Sequence, residues 1–295
     1  MANTIYKAED FALANPKKDI VVIYHAYCND GFAGAWAAWK KFGSQAEYFP
    51  TQYNIPINSN FKNKTIYLID FTFRGEELKN LIKNNKRIII LDHHISSKSA
   101  IISAPEYRYS DTHSGAWIAW NYFHPGTPTP RIIRYIEDID LWKFKLPKTK
   151  EITAEFGITL TRESFIEMNK LSKVVESPVG RKKLAEKGSA ILAYQEKKIK
   201  EIASRATPAI LNGVRVGVVN SAMLKSEIGH QIMLNGYPAG VIWSDNGKRV
   251  DVSLRSDGKK MDVSKIAQKL GGGGHKAASG FSFPSDQKAP WRYTK

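Results

Sequence analysis

Three aliphatic runs in the first hundred residues each finish on ionisable side chains. They are I-V-V-I-Y-H-A-Y (20–27), T-I-Y-L-I-D-F-T-F (65–73) and R-I-I-I-L-D-H-H (87–94). Short runs rich in β-branched residues predict strands buried on both faces. G-F-A-G-A-W-A-A-W-K-K-F-G (31–43) and G-E-E-L-K-N-L-I-K-N-N (75–85) carry helical spacing. Strands alternating with helices predict an α/β fold with a mostly parallel sheet flanked by helices. In such sheets the carboxyl ends of the strands line the ligand crevice. His25, Asp30, Asp70, Asp92, His93 and His94 are therefore expected to meet at one edge.

Further along, residues 114–123 predict a helix, H-P-G-T-P-T-P-R (124–131) breaks the pattern, and a helix from 131 runs into the acidic, aromatic corner E-D-I-D-L-W. Trp36, Trp39 and Trp117 have the spacing of helix core rather than of base-stacking platforms. The organisation expected is a large domain over 1–150, a charged helical linker over 151–206, and a smaller α/β domain over 207–295. The last of these carries strand-like runs at 214–221, 239–245 and 249–257.

The chain has 295 residues, and its 42% hydrophobic content can bury a core in each of two domains. Forty-four Lys and Arg against 28 Asp and Glu give a formal charge of +16, spread along the chain. That excess favours a polyanionic partner, nucleotide or nucleic acid. No stretch approaches the ~18 consecutive apolar residues of a membrane span. The N-terminal stretch M-A-N-T-I-Y-K-A-E-D has no signal pattern, and the single cysteine, Cys28, fits a reducing compartment; the expected location is cytoplasmic.

Clustered carboxylates repel and are commonly neutralised by divalent cations. A mixed Asp/His set suits Mn²⁺, Zn²⁺ or Fe²⁺ better than Ca²⁺. In the second half, Gly271, Gly272, Gly273 and Gly274 precede His275. Four consecutive glycines are costly to order and are tolerated where backbone amides approach a ligand, phosphate above all. Arg255 is a phosphate clamp by type, with Ser253 and Asn220 as further candidates from the same domain.

D-H-H after an aliphatic strand, with H-x-x-C-x-D-G-F and I-D-F upstream, resembles the DHH phosphoesterase superfamily. The C-terminal S-L-R-S-D-G, D-V-S-x-I-A and G-G-G-G-H-x-x-A-S-G-F resemble its associated substrate-binding domain. The resemblance spans about 20 to 283. It implies one or two Mn²⁺ ions, with Mg²⁺ or Co²⁺ as substitutes, held by His25, Asp30, Asp70, His93 and an acid of a fourth motif. Asp138 is preferred for that acid, with Asp140 as the fallback. His94 is then directed to substrate phosphate, with Asp92 behind the histidines. Cys28 stands where the family often has a carboxylate and is a ligand only as thiolate.

The implied function is hydrolysis of short single-stranded oligonucleotides to mononucleotides by metal-activated water, as in exonucleases and nanoRNases. The alternatives are a cyclic or linear dinucleotide phosphodiesterase and, outside enzymes, a binding module with a degraded site. A substrate bridging the two domains, bound by Gly272, Gly273, Gly274, His275, Arg255 and Ser253, is the expectation. Nothing in the sequence demands an obligate protein partner, and a homodimer stays open.

Overall fold

A computed structural model describes residues 7–53, 55–58 and 60–294; the first six residues of the N-terminal stretch considered above lie outside the described residues. The chain divides into two compact units, Met1–Leu192 and Ala193–Lys295.

The first unit runs β1 (Ile20–His25), α1 (Asn29–Phe42), β2 (Ala46–Thr51), β3 (Thr65–Ile69), α2 (Gly75–Asn84), β4 (Arg87–Asp92), α3 (Lys98–Ile102), β5 (Glu106–Tyr109), α4 (Gly115–Phe123), α5 (Arg131–Asp140), α6 (Thr149–Thr159) and α7 (Phe165–Glu176). It ends within α8 (Pro178–Ala203). The five strands are all parallel, in the order β2-β1-β3-β4-β5.

Because side chains alternate across a strand, each aliphatic run feeds two cores. Val22, Tyr24, Tyr67, Ile69, Ile89 and Leu91 face one way, against Phe32 and Trp36 of α1 and Ala116 and Trp120 of α4. Val21, Ile23, Ile66, Leu68, Ile88 and Ile90 face the other, against Phe11, Leu78, Leu81 and Ile101. Burial on both faces is why these runs are continuously apolar. Trp36 is fully buried, whereas Trp39 and Trp117 pack only partly against the first core.

The segment expected as a linker divides in two. Helices α6 and α7 carry Phe156, Phe165, Met168, Leu171 and Val175 into the first core, so residues to 192 belong to the first unit and 193–206 to the second. Their apolar faces need a partner that an isolated linker lacks.

The second unit continues with β6 (Thr207–Leu211), β7 (Val214–Asn220), α9 (Lys225–Leu234), β8 (Ala239–Asp245), β9 (Arg249–Ser256), α10 (Val263–Lys269), β10 (Gly273–Gly274), β11 (Ala278–Pro284) and β12 (Trp291–Tyr293). Its seven strands lie in the order β10-β11-β9-β8-β7-β6-β12, with β7 and β8 parallel. Among the described residues no helix is long and apolar enough to cross a membrane.

The turn from β1 into α1 requires Gly31. A Cβ there would lie 2.4 Å from the His25 carbonyl oxygen, which is backbone and cannot swing aside. Gly31→Ala is therefore expected to destabilise the first unit by about 1–3 kcal/mol. Exposed Gly157 in α6 has nothing within 4 Å of an added Cβ, and Gly157→Ala should stabilise by about 0.5–1 kcal/mol. Urea midpoints of the two variants, moving in opposite directions, check this.

Candidate metal centre

The parallel register aligns Tyr24 with Ile69 and Ile69 with Leu91. The next residue of each strand path is His25, Asp70 and Asp92, so three ionisable groups leave the sheet in one row. His93 and His94 follow directly. Asp70 turns the chain away with a left-handed φ of 54°, a conformation that aspartate tolerates better than most residues.

From α1, Asp30 projects into the same row and is 1% exposed. Its two oxygens accept the N–H groups of Gly115 (2.7 Å) and Ala116 (3.0 Å), the first residues of α4. Ser114 caps that helix by accepting the Trp117 N–H. Unsatisfied amides at a helix N-terminus favour an anion and fix its direction. Neither Ser114 nor the two amides was singled out beforehand; a helix opening on Ser-Gly was their only trace in the sequence.

The resulting donors form two groups that share Asp70: His25, Asp70 and His94, and Asp30, Asp70 and His93. In each, the atoms lie within 4.8 Å of one another. His93 Nε2 lies 3.1 Å from Asp70 Oδ1, 3.7 Å from Asp140 Oδ2 and 3.8 Å from Asp30 Oδ2. His25 Nδ1 is 3.4 Å from Asp70 Oδ2. Adjacent donors ~2.1 Å from one cation are about 3 Å apart, close to these separations. At these positions Asp70 Oδ1 and His25 Nδ1 are buried yet lack a well-aligned hydrogen bond among the described residues, as expected of atoms reserved for an ion.

Behind the row, Asp92 is fully buried and saturated. Its Oδ1 accepts the N–H groups of His93 (2.7 Å) and His94 (3.1 Å) and lies 2.7 Å from His94 Nδ1, while Oδ2 accepts the Thr72 hydroxyl at 2.7 Å. Burial alone would raise its carboxyl, but His94 outweighs that and holds it at about 2. Asp92 thus orients His94 in particular, an anchor of the kind that fixes ligand rings.

Charge balance points the same way. Burial, then Asp70 and Asp140, push the Asp30 carboxyl well above its ordinary range. Burial would do the same to Asp70, but the rings of His25, His93 and His94 hold it low. Burial would lower His93, yet Asp70, Asp140 and Asp30 carry it up to about 10. Carboxylates and imidazoles this close favour a bound proton or a cation between them. The mixed carboxylate and imidazole donors fit Mn²⁺, Fe²⁺ or Zn²⁺.

Asp138 does not join this row, and the preference for it is corrected to Asp140. Residues two apart on a helix point to different sides. Asp140, at the end of α5, reaches His93. Asp138 faces the following turn and accepts the N–H groups of Lys145 (2.8 Å) and Leu146 (3.0 Å) and the Thr149 hydroxyl (2.5 Å). Cys28 belongs to neither donor group. Burial, with Asp70, Asp140 and Asp30, pushes its thiol well above the ordinary value, which disfavours the thiolate that would bind a metal.

In the second unit Arg255 donates to the Ser226 hydroxyl at 2.7 Å, in the first turn of α9, and to the Leu254 carbonyl at 2.8 Å. Arg255 pairs with Ala278 across β9 and β11, and the His275 N–H donates to the Ala278 carbonyl. Arg255 and His275 thus lie at one end of this sheet. Ser253 sits mid-strand opposite Gly280, and Asn220 donates to the Trp243 carbonyl. The glycines have a packing reason of their own. A Cβ on Gly272 would lie 2.0 Å from the Gly280 oxygen, and one on Gly274 2.6 Å from the Ala278 oxygen. Gly273 and Gly274 form β10, pressed against β11.

Residues 218–290, within this unit, match the family model of the DHHA1 domain. The chain is 29% identical over 294 residues to an uncharacterised protein of Acanthamoeba polyphaga mimivirus, with 89% of this chain and 67% of that one covered. Its fold is similar to that of RecJ from Thermus thermophilus in complex with Mn²⁺, at 13% identity and a TM-score of 0.50; the match covers 94% of this chain and 51% of RecJ. A pGpG-specific phosphodiesterase, PggH from Vibrio cholerae, aligns at 13% identity and a TM-score of 0.43, covering 91% and 94%.

Two substitutions separate the acids of α5. Asp140→Asn is expected to lower bound Mn²⁺ after dialysis while leaving the metal-free thermal midpoint unchanged or higher. Asp138→Asn should cost about 1–3 kcal/mol in stability through weakened hydrogen bonds and keep the ion. Metal analysis and thermal melts of both variants check the assignment.

Proposed function

We propose that this chain is a member of the DHH phosphoesterase superfamily and a divalent-metal-dependent phosphodiesterase that hydrolyses short single-stranded oligonucleotides to mononucleotides, with Mn²⁺ as the working ion. The observation that carries it is the pair of donor groups joined at Asp70. His25 and Asp70 would hold one ion, with His94, expected against substrate phosphate, as a further donor to it, and Asp30, Asp70, His93 and Asp140 the other. Bound there, the ions would polarise phosphoryl oxygens and lower the pKa of a water.

The remaining steps belong to the chain. Asp92 keeps His94 aimed, the amides of α4 keep Asp30 aimed, and the burial of Asp30, Asp70 and His93 limits how far water spreads their charge. In the second unit, Arg255 and His275, with Ser253 and the segment Gly272, Gly273 and Gly274, are assigned to binding of substrate phosphate. A guanidinium already oriented by Ser226 and Leu254 can meet a phosphate with little loss of side-chain freedom. The net charge of +16 supports a polyanionic substrate, and the Mn²⁺ bound in RecJ, whose fold is shared, supports the ion.

A panel of 2- to 24-mer RNA and DNA, cyclic and linear dinucleotides and pyrophosphate, each with Mn²⁺, Mg²⁺ or Co²⁺, tests this. The expected result is release of mononucleotides from a 5-mer RNA with Mn²⁺. His93→Ala should lose more activity than the ~10–100-fold typical of an outer partner such as Asp92. An intact 5-mer alongside consumed dinucleotide would move the substrate to the dinucleotide class, and full activity in His93→Ala would sink the site assignment.

A further inference from the structure

The turn held by Asp138 is unusual in its own right. After Asp140 the chain reads Leu141, Trp142, Lys143, Phe144, Lys145, with Trp142 at φ 55° and Phe144 at φ 49°. Left-handed backbone in bulky residues costs on the order of 1–3 kcal/mol each and persists only where the surroundings enforce it. Asp138 is the enforcing group. Its carbonyl accepts the Lys143 and Phe144 N–H groups, and its carboxylate takes the N–H groups of Lys145 and Leu146 and the Thr149 hydroxyl.

Beside this turn, still within the first unit, opens a cavity of about 430 Å³ whose walls include Trp117, Thr129, Arg134, Lys143 and Lys145. That volume lies within the ~300–1,000 Å³ typical of small-ligand sites. Its two acids are already committed. Asp138 holds the turn, and Glu137 accepts the Ser114 N–H at 3.2 Å and pairs with His113 at 3.2 Å and Lys143 at 3.6 Å. Lys143 also donates to the Thr112 carbonyl. Two cations remain: among the described residues neither the Arg134 guanidinium nor the Lys145 ammonium has a hydrogen-bond or ion-pair partner, and both residues are exposed. Trp117 is half-buried, and the His113 ring stacks on it at 3.6 Å, which holds the indole in place as a rigid wall.

Partnerless cations beside a rigid indole, in a chain of net charge +16, match the chemistry of strand-binding grooves, where cations follow phosphates and bases stack on aromatic rings. We propose that this cavity is a nucleotide subsite for single-stranded nucleic acid: Arg134 and Lys145 bind backbone phosphates and Trp117 receives a base. Asp138 is its positioning residue. The proposal extends the oligonucleotide reading above, but its test needs no turnover.

The probe is a fluorescein-labelled 2′-O-methyl phosphorothioate 5-mer RNA, resistant to cleavage, titrated by anisotropy with the full Mn²⁺-loaded chain at several salt concentrations. Arg134→Ala and Lys145→Ala should each weaken binding roughly fivefold and reduce the slope of log affinity against log salt by about one. Trp117→Leu should weaken binding about tenfold. Bound Mn²⁺ should be unchanged in the two cation variants. Unaltered affinity and slope in both of those variants, no binding by the parent chain, or equal competition by an oligo-glutamate peptide would overturn the subsite. Oligonucleotide hydrolysis without these binding losses would remove the subsite alone; the losses in a chain that hydrolyses nothing would remove the catalytic reading and keep the subsite.

Discussion

Asp70 is the point on which the first unit turns. It leaves β3 in the same row in which His25 ends β1 and Asp92 ends β4, and it belongs to both donor groups. This placement depends on the register of three parallel strands, and a slip of one residue would send every donor to the opposite face. The double burial of β1, β3 and β4 prevents that slip, because each strand has apolar residues matched to two different cores. Burying carboxylates so close together opposes folding in the absence of counter-charge. The amides of α4 and the histidine rings offset part of that cost, and protons or a cation must offset the rest.

How far this arrangement was legible in the sequence follows from what each signal encodes. Aliphatic runs ending on His25, Asp70 and Asp92 announced both the parallel sheet and the edge at which these side chains gather, since period and composition are local properties. β2 was not announced. A-E-Y-F-P-T carries a glutamate and Pro50, and its pairing with β1 depends on a tertiary partner rather than on its own pattern. β5, only Glu106–Tyr109, is too short to stand out from the loops beside it. The same limit applied to the linker, where the charged surface of α6 and α7 masked the residues that enter the core.

The fourth acid shows the limit at finer scale. Asp138 and Asp140 lie in one helical turn, and only the direction in which α5 presents each of them distinguishes the ion row from the turn that follows. The glycine tetrad taught a related lesson. Its composition suggested backbone brought close to a ligand, and at Gly272 and Gly274 the close neighbour is the chain's own β11. Glycine reports that something approaches the backbone and leaves the identity of the visitor to the tertiary structure.

The two borders of the five-stranded sheet bear on assembly. One is β2, interrupted by Pro50, which has no N–H to offer a further strand; the other is the four-residue β5, where Glu106 is tied to Arg87 and Tyr122. Short, charged and proline-containing borders resist strand addition. Two copies of this chain would therefore have to meet through helices or through the second unit, and crowding of partly folded chains would not readily zip these sheets into a continuous ribbon.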